Sequence, residues 1–166
     1  MDVTRRRFLA GAGAASAAIL AAAACGRSAT ASPAGDFEVT HTDAEWKQLL
    51  TADQYDVLRK AGTEAPYSSP LNDEHRRGVF SCAGCALELF SADTKFDSGT
   101  GWPSFWRPLD QAVLERRDDS LGMSRTEVLC RRCGGHLGHV FDDGPQPTGL
   151  RYCMNGVAMT FKPVAS

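Results

Sequence analysis

Six cysteines in a chain of 166 residues make their spacing the first thing to read. Cys82-Ala83-Gly84-Cys85 and Cys130-Arg131-Arg132-Cys133 form two C-x-x-C units, each with glycine inside or beside it. Two tight turns of this kind each present two thiolates from one side, which is what a tetrahedral zinc ion needs. Cys133-Gly134-Gly135 gives the second turn room for sulfur to approach without a side-chain clash. The 44 residues between the units exceed a simple zinc ribbon, so a whole subdomain is expected between them. The competing readings are redox-active C-x-x-C pairs, or structural disulfides of an oxidising compartment. Neither unit has the strand-to-helix setting of a thioredoxin-like site. One structural zinc ion on Cys82, Cys85, Cys130 and Cys133 is therefore expected.

With those four committed to a metal, Cys153 is the one thiol left in the body of the chain. A lone cysteine is often only a small buried hydrophobe. Its neighbours point to chemistry instead. Arg151, Cys153 and Asn155 alternate, so a strand would turn all three to one face. A cation and an amide beside a thiol stabilise its thiolate and hold a polar substrate. His136 and His139, in His-Leu-Gly-His, are candidate proton carriers. Their spacing puts them on opposite faces of a regular strand, so a bend or bulge is expected at Gly138. Metal ligation by these histidines is the alternative, weakened because the cysteines already complete a site.

The elements that must position these groups are short. Thr42-Asp43-Ala44-Glu45 reads as a capping box ahead of a helix, with Trp46, Leu49 and Leu50 on one face. Thr51-Ala52-Asp53-Gln54 repeats the box, and Tyr55, Val57 and Leu58 lead to a stop at Gly62. Beyond Pro66 the helical pattern is replaced by strand-like runs separated by Gly, Asp and Pro clusters. These runs are Gly78–Cys82, Glu88–Phe90, Val113–Arg117, Thr126–Cys130, Gly138–Phe141, Leu150–Asn155 and Val157–Phe161. A mainly β domain is predicted. Hydrophobic residues at 43% and charged residues at 23% exclude a disordered chain and a polytopic membrane protein. A net charge of −2 gives no electrostatic footprint for nucleic acid.

The first residues read as an address. Arg5 and Arg6 followed by Phe8 and Leu9, then an Ala-rich apolar run to Ala24, resemble a twin-arginine export signal over residues 1–24. A short membrane anchor is the alternative. Cys25 after Ala21–Ala24 resembles a lipoprotein cleavage site, although Ala22 stands where leucine is usual; ordinary cleavage near Ala31 would discard Cys25. Residues 25–36 are mostly Ser, Ala, Thr, Pro and Gly without periodicity, a flexible tether leading to a domain over 37–166. An envelope location is expected, with a lipid anchor at Cys25 and a monomeric domain. Export of a folded chain would let the metal load before the protein leaves the cytoplasm.

Four runs in fixed order carry a resemblance. Gly99-Thr-Gly-Trp-Pro-Ser-Phe105, Arg125-Thr-Glu-Val128, Gly135-His-Leu-Gly-His-Val-Phe-Asp142 and Arg151-Tyr-Cys-Met-Asn155, with the paired knuckles, resemble the B-type peptide methionine sulfoxide reductases from about Thr42 to Pro163. The resemblance implies two antiparallel β-sheets with short N-terminal helices, and zinc away from the active site. It implies reduction of the R epimer of methionine sulfoxide in proteins or peptides. By position, Cys153 is then the nucleophile and Trp102 the wall for the substrate methyl. His136, His139 and Asn155 lie around the sulfoxide, and Phe105, Arg151 and Asp143 complete the substrate side and its outer network. Cys153 would become a sulfenic acid that a thiol must restore. Many family members carry a resolving cysteine in the Gly-x-Gly-Trp-Pro-Ser-Phe loop, where this chain has Thr100. A thioredoxin-like protein or a small thiol is therefore expected as reductant. A zinc-ribbon binding module that kept the scaffold and lost catalysis is the alternative, disfavoured by the Arg151, Cys153 and Asn155 trio.

Overall fold

The computed structural model describes residues 37–164. The expected signal, the tether and Cys25 lie outside the described residues. Both capping boxes form. Thr42 accepts from the Glu45 N–H and opens α1, Asp43–Leu49; Thr51 accepts from the Gln54 N–H and opens α2, Ala52–Lys60. The expected single apolar face on α1 is corrected in one place. Leu50 leaves the helix in an extended conformation and is buried, whereas Leu49 is 60% exposed. A helix this short has one inward stripe, and Trp46 occupies it.

Among the described residues nine strands follow, and every pairing is antiparallel. The smaller sheet has the order β2-β1-β9, built from β1 (Gly78–Cys82), β2 (Glu88–Ser91) and β9 (Met159–Pro163). The larger sheet has the order β3-β4-β8-β7-β6-β5. Its strands are β3 (Lys95–Phe96), β4 (Ser104–Phe105), β5 (Val113–Asp118), β6 (Arg125–Cys130), β7 (His136–Phe141) and β8 (Arg151–Met154). This is the mainly β, two-sheet architecture expected from the sequence. The last expected strand is displaced: Gly156–Ala158 form a 3-10 turn before β9 begins at Met159.

Aromatic rings join the sheets. Phe105 of β4 stacks on Phe90 of β2 at 4.4 Å and meets Phe80 of β1 edge-on at 5.0 Å. Burying each such ring stabilises the fold by about 1.5–3 kcal/mol. α1 and α2 cover the knuckle end, where Leu58 and the Trp46 ring lie against Gly84, and Arg59 donates to the Cys133 carbonyl at 3.0 Å.

Candidate active site and metal centre

Strand register assembles the site. Cys153 on β8 lies between Ser104 on β4 and His139 on β7, and His139 faces Glu127 on β6, which faces Arg116 on β5. Directly opposed residues point to the same face, so Ser104, Cys153, His139, Glu127 and Arg116 form one polar row across five strands. Arg151, two residues from Cys153, shares that face. Its guanidinium grips Asp143 through two bonds of 2.8 Å and lies 4.5 Å from the centre of the Phe141 ring.

The two histidines share the face because the strand is bulged. Gly138 pairs with Val128 and His136 with Leu129, which leaves Leu137 as the extra residue. The rings then meet edge to face with centroids 5.4 Å apart. Gly138 permits this packing, since a Cβ there would collide with the Cys153 carbonyl oxygen.

Each histidine has its own carboxylate. His136 is 4% exposed and its Nδ1 lies 2.7 Å from Glu127, which Arg116 grips from the other side at 2.6 Å. Burial alone would raise the Glu127 carboxyl, but hydrogen bonds from His136 and Arg116 outweigh it and hold the group low. His139 Nε2 lies 2.8 Å from Asp118, and Arg125 donates to the same oxygen at 2.7 Å. Ser120 first, then His139, holds the Asp118 carboxyl well below its ordinary range. Burial pushes the His139 ring down, so it rests neutral at pH 7. An ionised Asp118 fixes the proton on Nε2, and Nδ1 is the nitrogen left to meet a ligand.

Burial also pushes the Cys153 thiol up, with Thr100, Arg151 and Ser104 pulling the other way. The expected pull of Arg151 toward the thiolate is present, and burial outweighs it. Asn155 lies outside the expected alternation. β8 ends at Met154, and the Asn155 side chain receives the Glu64 N–H at 3.0 Å and donates to the Leu137 carbonyl at 3.0 Å. Trp102 is half-buried, its indole N–H donating to the Glu64 carbonyl at 3.1 Å. Phe105 is 0% exposed, so its ring supports the floor from within the core and presents no surface to a ligand. Glu64, Asp118 and Glu127 were not among the expected site residues. Their partners lie far away in sequence, and no local spacing signals them.

The knuckles repeat one another. In each, the first cysteine donates its N–H to the carbonyl five residues on, Leu87 or Gly135, and its carbonyl accepts from Ala86 or Gly134, all at 2.8 Å. Cys82 and Cys133 sulfurs are 3.7 Å apart, Cys85 and Cys130 sulfurs 3.4 Å, and all four lie within 4.8 Å of one another. A disulfide would need about 2.0 Å. Tetrahedral zinc with bonds of about 2.3 Å separates its sulfurs by about 3.8 Å. The four thiols therefore fit a metal ion and not a pair of disulfides. Sulfur crowding says the same: hydrogen bonding with Cys130, Cys133 and Cys85, together with burial, drives Cys82 strongly up, so all four cannot ionise without a cation. Cys153 stands outside the cluster.

A two-sheet β domain with a lone thiol in a polar cross-strand row and a separate four-thiol centre is matched by the SelR domain family over residues 50–163. The chain belongs to that family. It is similar to the peptide methionine sulfoxide reductase MsrB of Agrobacterium fabrum, 53% identical over 128 residues that cover 76% of this chain and 95% of that one. The protein of the same name from Leptospira interrogans is 50% identical over 128 residues, 76% of this chain and 98% of that one. The one from Methanosarcina barkeri is 54% identical over 125 residues, 75% and 88% of the two chains.

Proposed function

We propose that this chain reduces the R epimer of methionine sulfoxide in proteins or peptides to methionine, with Cys153 as the reacting thiol. The observation that carries the reading is the row that sets Cys153 between Ser104 and His139, with Asp118 behind the histidine. An acid-held imidazole facing a thiol is the arrangement that nucleophilic catalysis by cysteine requires.

His139 Nδ1 takes the Cys153 proton, and Asp118 stabilises the imidazolium that results. The sulfur attacks the sulfoxide sulfur while the imidazolium returns the same proton to the sulfoxide oxygen. The oxygen moves to Cys153, the substrate sulfur gains two electrons, and the Cys153 sulfur loses two. Thiol plus sulfoxide become sulfenic acid plus thioether, with no other reactant needed. Trp102 walls the substrate methyl, His136 on Glu127 packs against the His139 ring, and Asn155 and Arg151 fix the flanking backbone and charge.

An external thiol then condenses with the sulfenic acid, releasing water and leaving a mixed disulfide that a second thiol reduces. Thr100 supplies no sulfur for an internal disulfide, and the other four described thiols belong to the metal centre. Zinc, held by Cys82, Cys85, Cys130 and Cys133, would tie β1 to β6 as a structural crosslink. The Arg5-Arg6 segment is read as a twin-arginine signal that places a monomeric domain in the cell envelope, with Cys25 as the lipid-bearing residue.

The test is consumption of separated R and S sulfoxides of one blocked methionine peptide, with dithiothreitol as reductant. Consumption of R alone is expected. Consumption of S, or of neither, overturns the reading.

A further inference from the structure

A line of hydroxyl groups leads away from the Cys153 sulfur. Thr100 Oγ1 lies 3.9 Å from Sγ, and Ser98 Oγ lies 2.8 Å from Thr100 Oγ1. Ser104 Oγ lies 2.7 Å from Ser98 Oγ and 3.1 Å from the Trp102 carbonyl oxygen, where the line ends. The Thr100 N–H reaches back to Ser98 Oγ at 3.5 Å. Ser104 is 0% exposed, and Ser98 and Thr100 are half-buried, which limits competition from bulk water.

Counting protons gives the line two directions. Each hydroxyl carries one proton and accepts through its lone pairs, whereas a carbonyl only accepts. With a neutral thiol, four protons serve four contacts. The thiol donates to Thr100, Thr100 to Ser98, Ser98 to Ser104, and Ser104 to the Trp102 carbonyl. When the sulfur loses its proton, three protons remain for the four contacts. Rotation of the three hydroxyls reverses the line, so that Ser104 donates to Ser98, Ser98 to Thr100, and Thr100 to the sulfur anion. The exchange gives up one neutral hydrogen bond at the far end and gains a charge-assisted one at the sulfur. Charge-assisted bonds are roughly twice as strong as neutral ones.

We propose that Thr100 is a catalytic residue that donates to the Cys153 thiolate as it forms, and that Ser98 and Ser104 are positioning residues that aim its proton. The proposal rests on the reading of Cys153 as the reacting thiol. It gives the position that lacks a resolving sulfur a function of its own. The titratable and charged groups on the same face are His139 with Asp118, His136 with Glu127 and Arg116, and Arg151 with Asp143, all on β8 or on the β7, β6 and β5 side of it. The loop before β4 carries one charge, Asp97, whose exposed carboxylate accepts the Gly99 N–H at 2.9 Å, so anion stabilisation from that side falls to the Thr100 hydroxyl.

The experiment is the rate of iodoacetamide alkylation at Cys153 as a function of pH, read by peptide mapping of the full metal-loaded protein without substrate. Thr100→Val should move the alkylation midpoint up by about one pH unit, a tenfold loss of thiolate on the acid side. Thr100→Ser should restore the original midpoint. Ser98→Ala, which removes no atom in contact with the sulfur, should move the midpoint in the same direction by less, with metal content unchanged. An unmoved or lowered midpoint in Thr100→Val overturns the proposal. If that variant does not fold, an unmoved midpoint in Ser98→Ala overturns it equally. The readout needs no turnover, so failure here is distinct from failure of the sulfoxide assay.

Discussion

The backbone N–H of Glu64 donates to the side-chain carbonyl of Asn155 at 3.0 Å, across 91 positions of sequence. The Glu64 carboxylate accepts the next two N–H groups after Asn155, those of Gly156 at 2.6 Å and Val157 at 2.9 Å, and its carbonyl holds the Trp102 indole. One residue on a loop therefore fixes two site side chains and starts the turn that displaces β9. Glu64→Ala strips the acceptor from two backbone donors and should cost about 2–4 kcal/mol of stability. Glu64→Gln keeps one acceptor oxygen and should cost less. Urea denaturation of the two variants gives the stability, and steady-state kinetics should show a fall in kcat/KM that follows the same order.

Acid should undo the site in two stages. His139 has a folded pKa below its unfolded value because burial opposes its charge, so its contribution is present at neutral pH and is lost as pH falls below about 6.5. Asp118 and Glu127 are also lower in the fold than outside it, so their contributions are lost further down, from about pH 4.5. Melting temperature against pH should be level between about pH 7 and 8 and fall in two steps below that. His139→Gln should remove the upper step and leave the lower one.

Metal removal should be felt as unfolding. Binding of structural zinc is worth on the order of 10 kcal/mol, comparable to the whole stability of a domain. Cys130→Ser opens the centre beneath α1 and α2 and should lose metal and cooperative melting together. Elemental analysis alongside calorimetry checks this. A metal-free variant that melts at the parent temperature would contradict the structural role.

Thr100 is close enough to Cys153 for a disulfide to be installed. Its Oγ1 lies 3.9 Å from the sulfur, and side-chain rotation must close that to about 2.0 Å. After one turnover without reductant, Thr100→Cys should contain an internal disulfide between positions 100 and 153. It should then resist inactivation by excess peroxide better than the parent chain, whose sulfenic acid waits for an outside thiol.

Much of this architecture is legible in the sequence where the cause is local. The Thr42 and Thr51 boxes, the knuckle glycines and the Gly138 bulge announce themselves through residues a few positions apart. β3 and β4 do not. Each has two residues, and Ser104 and Phe105 are strand-like only because Tyr152 and Cys153 lie beside them. The partners of His136 and His139 were hidden for the same reason, since Glu127 and Asp118 reach them through strand register. Asn155 lies one residue past the end of β8, where strand alternation no longer governs a side chain, and Glu64 holds it by a bond the sequence does not signal. The raised Cys153 thiol reflects burial, which no count of neighbouring charges reveals.

The central claim is that Cys153 receives the sulfoxide oxygen. The direct measurement is one stoichiometric turnover of the parent chain with an R-sulfoxide peptide and no reductant, followed by intact mass and peptide mapping, with Cys153→Ser in parallel. The account predicts one added oxygen, located at Cys153, with one equivalent of methionine peptide released and neither event in Cys153→Ser. A disulfide from Cys153 to another cysteine of the same chain, or product formed by Cys153→Ser, would contradict it.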